Sequence, residues 1–339
     1  MMSNVKCGLI GYGYWGPNLM RNFTNAKQCE VVKVADARPE RRKAVENLYS
    51  HVTACESAED ILNDSEIDAV IIATPVFTHY DLAKRALNSG KHVLLEKPMT
   101  SKVSEAKELI EIAHRMGKVL MVDHTFLYTG AVQKMKSLVE DGTLGNLRYF
   151  DSTRINLGLI QQDVNVLWDL APHDISILNY LSGKKAHSVQ ATGISHIHNG
   201  IENIAYLTVN YEGDFIAHFN CSWSSPVKIR MMLVGGDKKM IVFNDMEPTE
   251  KVKVYDTGHE ITSDDDKRRV LVDYRVGDVY IPMIQVTEAL ASMAADFISA
   301  IIKGTTPISN FNSGLQTIEI LEAAQKSIKE NGREVKISE

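Results

Sequence analysis

The corner Gly11-Tyr12-Gly13-Tyr14-Trp15-Gly16 constrains this chain more than any other stretch, because it stands between an apolar run, Val5 to Ile10, and a segment whose Leu19 to Phe23 reads as the core face of a helix. Its glycines fill the G-x-G-x-x-G template. There the first glycine permits a tight strand-to-helix turn, the second removes a side chain that would block phosphates, and the third lets helix and strand pack closely. A helix N-terminus adds unpaired N–H groups and partial positive charge facing an anion. A second apolar run, Glu30 to Ala35, ends in Asp36, twenty residues past Gly16. That is where a carboxylate meets the ribose hydroxyls of an adenosine. A dinucleotide is the expected ligand. Asp36 favours NAD over NADP by repelling a 2′-phosphate, whereas Arg38 would accept that phosphate or lie over the adenine.

With 339 residues, two domains are expected, divided at 1–124 and 125–339. A formal charge of -6 and the lack of a basic run argue against nucleic acid as a partner. Cys7, Cys29, Cys55 and Cys221 lie far apart with no C-x-x-C spacing, so they read as free thiols in a reducing, cytoplasmic setting and no metal site is assigned. No apolar run is long enough to span a membrane.

The first half alternates short apolar strands (Val5 to Ile10, Val31 to Ala35, Ala69 to Ala73, Val93 to Leu95, Val119 to Val122) with helical segments, which predicts a doubly wound parallel sheet. Ser57 and Asp60 suggest a capping box, and Gly90 and Gly117 suggest helix stops. After a helix at Ala131 to Glu140, longer strands predict a large, open, mainly antiparallel sheet: Leu147 to Ile155, Ser188 to Ile194, Ile204 to Tyr211, Phe215 to Trp223, Lys228 to Val234 and Met240 to Phe243. Thr257 to Arg269 reads as an exposed loop, and helices at Val286 to Ile302 and Gly314 to Lys329 end the chain.

Ligands of parallel sheets bind beyond the carboxyl ends of the strands. Thr74, Pro75 and His79 follow one strand, and Glu96 and Lys97 follow the next, so they belong to the same rim as the glycine corner. Lys97 precedes Pro98, which restricts its backbone to extended conformations. His79, in a first helical turn, is either a ligand-facing group or a surface cap. Farther on, Asp169 and His173 are four apart and share a helix face. Pro172 is expected in the first turn, which places Asp169 near the N-cap, and a carboxylate orienting an imidazole suits a general base. Arg154 and Asn156 share one strand face as candidate substrate contacts, with Tyr128, Asn165 and Trp168 added on position.

Together these motifs, with the open antiparallel sheet, resemble the Gfo/Idh/MocA family (glucose-fructose oxidoreductase and inositol dehydrogenase) along essentially the whole chain. The resemblance implies an NAD(P)-dependent oxidoreductase acting on sugars, cyclitols or nucleotide sugars, with Lys97 contacting substrate hydroxyl and cofactor, His173 moving the proton and Asp169 supporting it. Tyr274-Arg275-Val276-Gly277-Asp278, through Pro282 and then Glu288-Ala289-Leu290, is similar to a subgroup that oxidises the 3-hydroxyl of a UDP-linked N-acetylhexosamine or its uronate. Ala289 replaces the proline of that signature, and Tyr128-Thr129-Gly130 lacks a polar residue many relatives have. Dehydrogenation of a free cyclitol or hexose, and a non-catalytic NAD sensor, are the alternatives. Apolar residues on both sheet faces predict a homodimer or homotetramer through that sheet.

Overall fold

Register between neighbouring strands decides where the chemistry of this protein collects. The computed structural model describes residues 4–158, 160–161, 164–197, 200–260 and 273–337. The chain divides into two compact units, Met1–Thr129 with Thr287–Glu319, and Gly130–Val286 with Ile320–Glu339.

The first unit alternates β1 (Val5–Ile10), α1 (Gly16–Asn25), β2 (Cys29–Ala35), α2 (Pro39–Leu48), β3 (Thr53–Cys55), α3 (Glu59–Leu62), β4 (Ala69–Ile72), α4 (His79–Asn88), β5 (His92–Leu95), α5 (Val103–Met116) and β6 (Leu120–Val122). The six strands form one parallel sheet in the order β3-β2-β1-β4-β5-β6. Nearly every residue of β1, β4, β5 and β6 is buried, as continuous apolar strands covered on both faces must be. Ile10 pairs with Ala35 on one side and Ile72 on the other, while Ile72 pairs with Leu95 and Leu95 with Val122. Gly11, Asp36, Ala73, Glu96 and Asp123 therefore leave the sheet at one level. Strand order reverses between β1 and β4, the position where such sheets open a crevice.

Gly117 ends α5 in the left-handed region, as expected. Ser57 departs from expectation: its Oγ accepts from the N–H of Glu59, not Asp60, and α3 has no side-chain cap. The turn is made within two residues, so the reciprocal capping box does not form. Strand β3 went unforeseen because three half-exposed residues carry too little apolar signal.

The second unit contains α6 (Gly130–Glu140), β7 (Leu147–Leu157), α7 (Val166–Ser182) and β8 (Ala186–Ile194), then β9 (Ile204–Tyr211), β10 (Ile216–Ser222), β11 (Ser224–Gly236) and β12 (Met240–Asn244). Strands β13 (Val252–Glu260), β14 (Asp273–Tyr280) and β15 (Val335–Lys336) complete it. The nine strands lie in the order β14-β13-β12-β11-β7-β10-β9-β8-β15, antiparallel except for the parallel pair β7 and β10. The sequence reading of Thr257 to Arg269 as a loop needs correction: Thr257 to Glu260 belong to β13, where Thr257 pairs with Val276 and Gly258 with Arg275. The remainder, 261–269, lies outside the described residues.

Helix α7 packs on one face of this sheet against β7, β9 and β10. Phe150, Leu207, Val209, Ala217, Phe219 and Cys221 are buried there with Ile175, Ile177, Leu178 and Leu181 of the helix. Two last helices follow, α8 (Ala289–Lys303), which belongs to the first unit, and α9 (Phe311–Lys329), which carries the boundary at Glu319. Phe297 of α8 meets Phe23 of α1 edge-on at 6.1 Å between ring centres.

Candidate active site

The glycine corner is set by backbone contacts. Gly11 has φ +96, and a Cβ there would stand 2.6 Å from the Ala73 carbonyl oxygen. At Gly16 a Cβ would stand 2.6 Å from the Gly11 carbonyl oxygen. Both positions therefore close the strand–helix corner. At Gly13 the nearest atom to such a Cβ is the Arg38 guanidinium at 3.6 Å, so this glycine leaves space instead. Helix α1 begins at Gly16 with no side-chain cap; Pro17 has no N–H and the Asn18 and Leu19 N–H groups donate to the Trp15 carbonyl, so the end of the helix meets an anion through the Gly16 N–H and the dipole.

Beside the corner is a cavity of about 940 Å³ lined by Gly11, Gly13, Tyr14 and Trp15, by Asp36 and Arg38 after β2, and by Thr74 and Pro75 after β4. Asp36 accepts the Tyr12 backbone N–H at 2.8 Å, and Arg38 donates to it from its backbone N–H and from Nε and Nη2 of its guanidinium, at 2.9 to 3.0 Å. Burial pushes the Asp36 carboxyl up, but the Arg38 bonds and the Tyr12 N–H outweigh it and hold the group at about 2. Arg38 thus engages Asp36. Tyr14 is 90% exposed, whereas Tyr12 is buried and contributes its backbone. The cavity, the uncrowded Gly13 and the Asp36 carboxylate on the cavity wall fit a dinucleotide.

His79 does not line this cavity. It is wholly buried, with Nε2 2.8 Å from the Thr74 carbonyl oxygen and Nδ1 3.0 Å from that of Pro98. Burial lowers its pKa against the pull of those carbonyls. Both the cap and the direct-contact readings give way to a brace between the loops after β4 and β5.

One strand over, Glu96 and half-buried Lys97 follow β5, joined to Pro98 by a cis peptide bond. Asp123 and His124 follow β6, both buried, and sequence reading passed over them. The signal was available, since they too succeed an apolar parallel strand. Asp123 accepts the Trp15 indole N–H at 3.2 Å and the Thr125 hydroxyl. Burial, then the charge of Lys97, lowers the His124 imidazole to about 3, so the ring is neutral.

Tyr128 requires correction as a substrate contact: it is buried, donates to Asp296 at 2.7 Å and accepts the Ser309 N–H. It anchors the returning segment 287–319 within the first unit.

In the second unit, α7 starts at Val166, and Asn165 is its N-cap, accepting from the N–H groups of Leu167 and Trp168. Its amide donates to Glu202 and Gln325, so Asn165 is a structural cap and not an exposed substrate contact. Pro172 consequently lies in the second turn, inside the helix, and Asp169 at the end of the first. The cap at Asn165 starts the helix one turn earlier than Pro172 suggested. Asp169 accepts the Trp223 indole N–H at 3.1 Å, while His173, half-buried, lies one turn further along the same face. Trp168 and Asn156 are both half-buried.

Arg154 likewise faces inward. It is 4% exposed and forks onto Asp174, 1% exposed, whose carboxylate also accepts from Ser152 at 2.5 Å. Asp174 adjoins His173 in sequence, and Arg154 neutralises it from the sheet, which removes Arg154 as a substrate anchor. A buried Asp beside a strand Arg is invisible to local patterning.

Residues 5–124 match the oxidoreductase family with an NAD-binding Rossmann fold, and residues 132–242 match the Gfo/Idh/MocA C-terminal domain. The chain belongs to the Gfo/Idh/MocA family and is an NAD-binding oxidoreductase. It is 25% identical to inositol 2-dehydrogenase of Rhizobium meliloti (strain 1021) across 98% of this chain and 99% of that one. It is 35% identical to the uncharacterized oxidoreductase YdgJ of Escherichia coli (strain K12) over 152 residues, 45% of this chain and 43% of that one. It is also 28% identical to UDP-N-acetylglucosamine 3-dehydrogenase of Acidithiobacillus ferrooxidans over 62% of this chain and 64% of the relative. The solved structure of that enzyme superposes with TM-score 0.80 at 23% identity, covering 97% and 99% of the two chains.

Proposed function

We propose that the protein oxidises a sugar carbinol, the 3-hydroxyl of a nucleotide sugar such as a UDP-N-acetylhexosamine or its uronate, with NAD as acceptor. The observation that carries the dehydrogenase reading is the cavity in which the glycine corner, Asp36 and Thr74 converge. When bound, NAD supplies the hydride acceptor, held by Gly11 to Gly16, Asp36, Arg38, Thr74 and Pro75. His173 takes the hydroxyl proton, Asp169 supports it, and Lys97 stabilises negative charge on the substrate oxygen. The stretch shared with UDP-N-acetylglucosamine 3-dehydrogenase supports the nucleotide-sugar choice. A free cyclitol is the second reading, favoured by the alignment with inositol 2-dehydrogenase over nearly both full lengths.

The working form in this proposal is a cytoplasmic homodimer or homotetramer joined through the nine-stranded sheet. Half-exposed Tyr206 and Ile216 on that sheet support the assembly, and four free cysteines support a reducing compartment. Among the described residues no helix is long and apolar enough to cross a membrane.

The test is NADH formation with a panel of UDP-N-acetylhexosamines, their uronates, inositols and free hexoses, run with wild type and His173→Ala. Turnover of a UDP-sugar that falls about 10²- to 10⁴-fold in the variant, at unchanged NAD affinity, is the expected result. Exclusive turnover of inositols would establish the second reading, and a fully active His173→Ala would remove that residue from the mechanism.

A further inference from the structure

We propose that Glu96 and Asp123 hold a single proton between them, and that this acid–carboxylate pair is a latch fastening the Lys97 loop and the Trp15 indole to the rim of the sheet. The register makes them neighbours. Leu95 pairs with Val122, and the Asp123 N–H donates to the Leu95 carbonyl at 2.7 Å, so Glu96 and Asp123 occupy adjacent positions as β5 and β6 end. Asp123 is 2% exposed, and the Glu96 carboxyl is in hydrogen-bonding contact with it.

Two ionised carboxyls cannot share such contact without water. Each would present only acceptors to the other, and the Coulomb cost in a poorly polarisable interior is large. The individual atoms indicate which group carries the proton. Oε1 of Glu96 is buried and meets no donor among the described residues. Both oxygens of Asp123 already accept, one from Thr125 and the other from the Trp15 indole N–H. A proton on Glu96 supplies the missing donor and leaves Asp123 as the acceptor. Burial, followed by the proximity of Asp123, raises the Glu96 carboxyl well above its ordinary value against the opposing charge and N–H of Lys97.

The other titratable groups nearby are consistent with one proton. Lys97 is on the same loop, and His124, on the β6 side, is neutral. Tyr128 stays protonated, chiefly through burial and Asp296, and His79 braces Pro98 from α4. The connection then runs from the Lys97 backbone N–H to Glu96 Oε2 at 3.2 Å, across the pair, and to Trp15 in the glycine corner. Glu96 is a positioning residue here, and losing its proton at alkaline pH places a second negative charge in the buried pair and releases the loop.

The effect on turnover rests on the reading of Lys97 given above, whereas the proton does not. Infrared difference spectra of the full chain, wild type minus Glu96→Gln at neutral pH, should show the carbonyl band of a protonated carboxyl. In kcat/KM profiles the wild type should lose activity on the alkaline side. Glu96→Gln, which keeps a donor toward Asp123 but does not titrate, should flatten that limb with a neutral-pH loss below about tenfold, and Glu96→Ala should lose about 10²-fold. Absence of the band, or an alkaline limb unaltered in Glu96→Gln, overturns the proposal. Full activity in Lys97→Ala would remove that lysine from the mechanism while leaving the band in place, so the two failures are distinguishable.

Discussion

The glycine corner of the first unit and helix α7 of the second are specified by different kinds of information. The corner depends on backbone clearances between residues a few positions apart in one strand–turn–helix, supplemented by the neighbouring β4: Gly11 passes Ala73, Gly16 passes Gly11, and Gly13 leaves open space. Helix α7 depends on partners brought from distant parts of the chain, with Arg154 and Ser152 of β7 holding Asp174, Trp223 between β10 and β11 holding Asp169, and Glu202, with Gln325 of α9, holding the Asn165 cap. A site made of backbone is written as a local motif. One made of side chains is written only in the tertiary structure.

The sharpest way to break this comparison is Arg154→Ala. If α7 depends on its buried pair, leaving Asp174 uncompensated should cost about 3–5 kcal/mol in urea unfolding. A loss below about 1 kcal/mol, the range of an exposed pair, would show that α7 is held by packing alone. Next comes Gly11→Ala. The left-handed φ and the 2.6 Å approach to Ala73 predict a cost of about 1–3 kcal/mol and weaker NAD binding in fluorescence titration, and unaltered affinity would separate the corner from the cofactor.

The smallest effect is in acid. Asp36 is held at about 2, below its unfolded value of about 3.9. Its contribution is therefore present above about pH 4 and is lost as pH falls toward 2. The stability difference between wild type and Asp36→Asn should shrink over that interval, and a difference independent of pH would count against the Arg38 pairing as its origin.

Legibility in the sequence followed the same division. Five of the six parallel strands and the position of the glycine corner could be read because continuous apolar runs and glycine spacing are local signals. Four residues were misplaced for a common reason. Arg154, Tyr128, Asn165 and the helix position of Pro172 were assigned by type and position, but each is determined by a distant partner or by a cap one turn upstream. Strands β13 and β14 were missed because their mixed polar composition resembles a loop until they pair with each other. Asp123 and His124 required only the strand-end rule, applied to β6 as it had been to β4 and β5.

The return of Thr287–Glu319 to the first unit bears on how the protein is made. A nascent chain emerges from the ribosome N-terminus first, and a contiguous domain can finish folding while the rest is still being synthesised. Here Tyr128 of the nucleotide-binding module meets Asp296 and Ser309, the latter 181 residues further along the chain, so those contacts can form only once that segment has been translated.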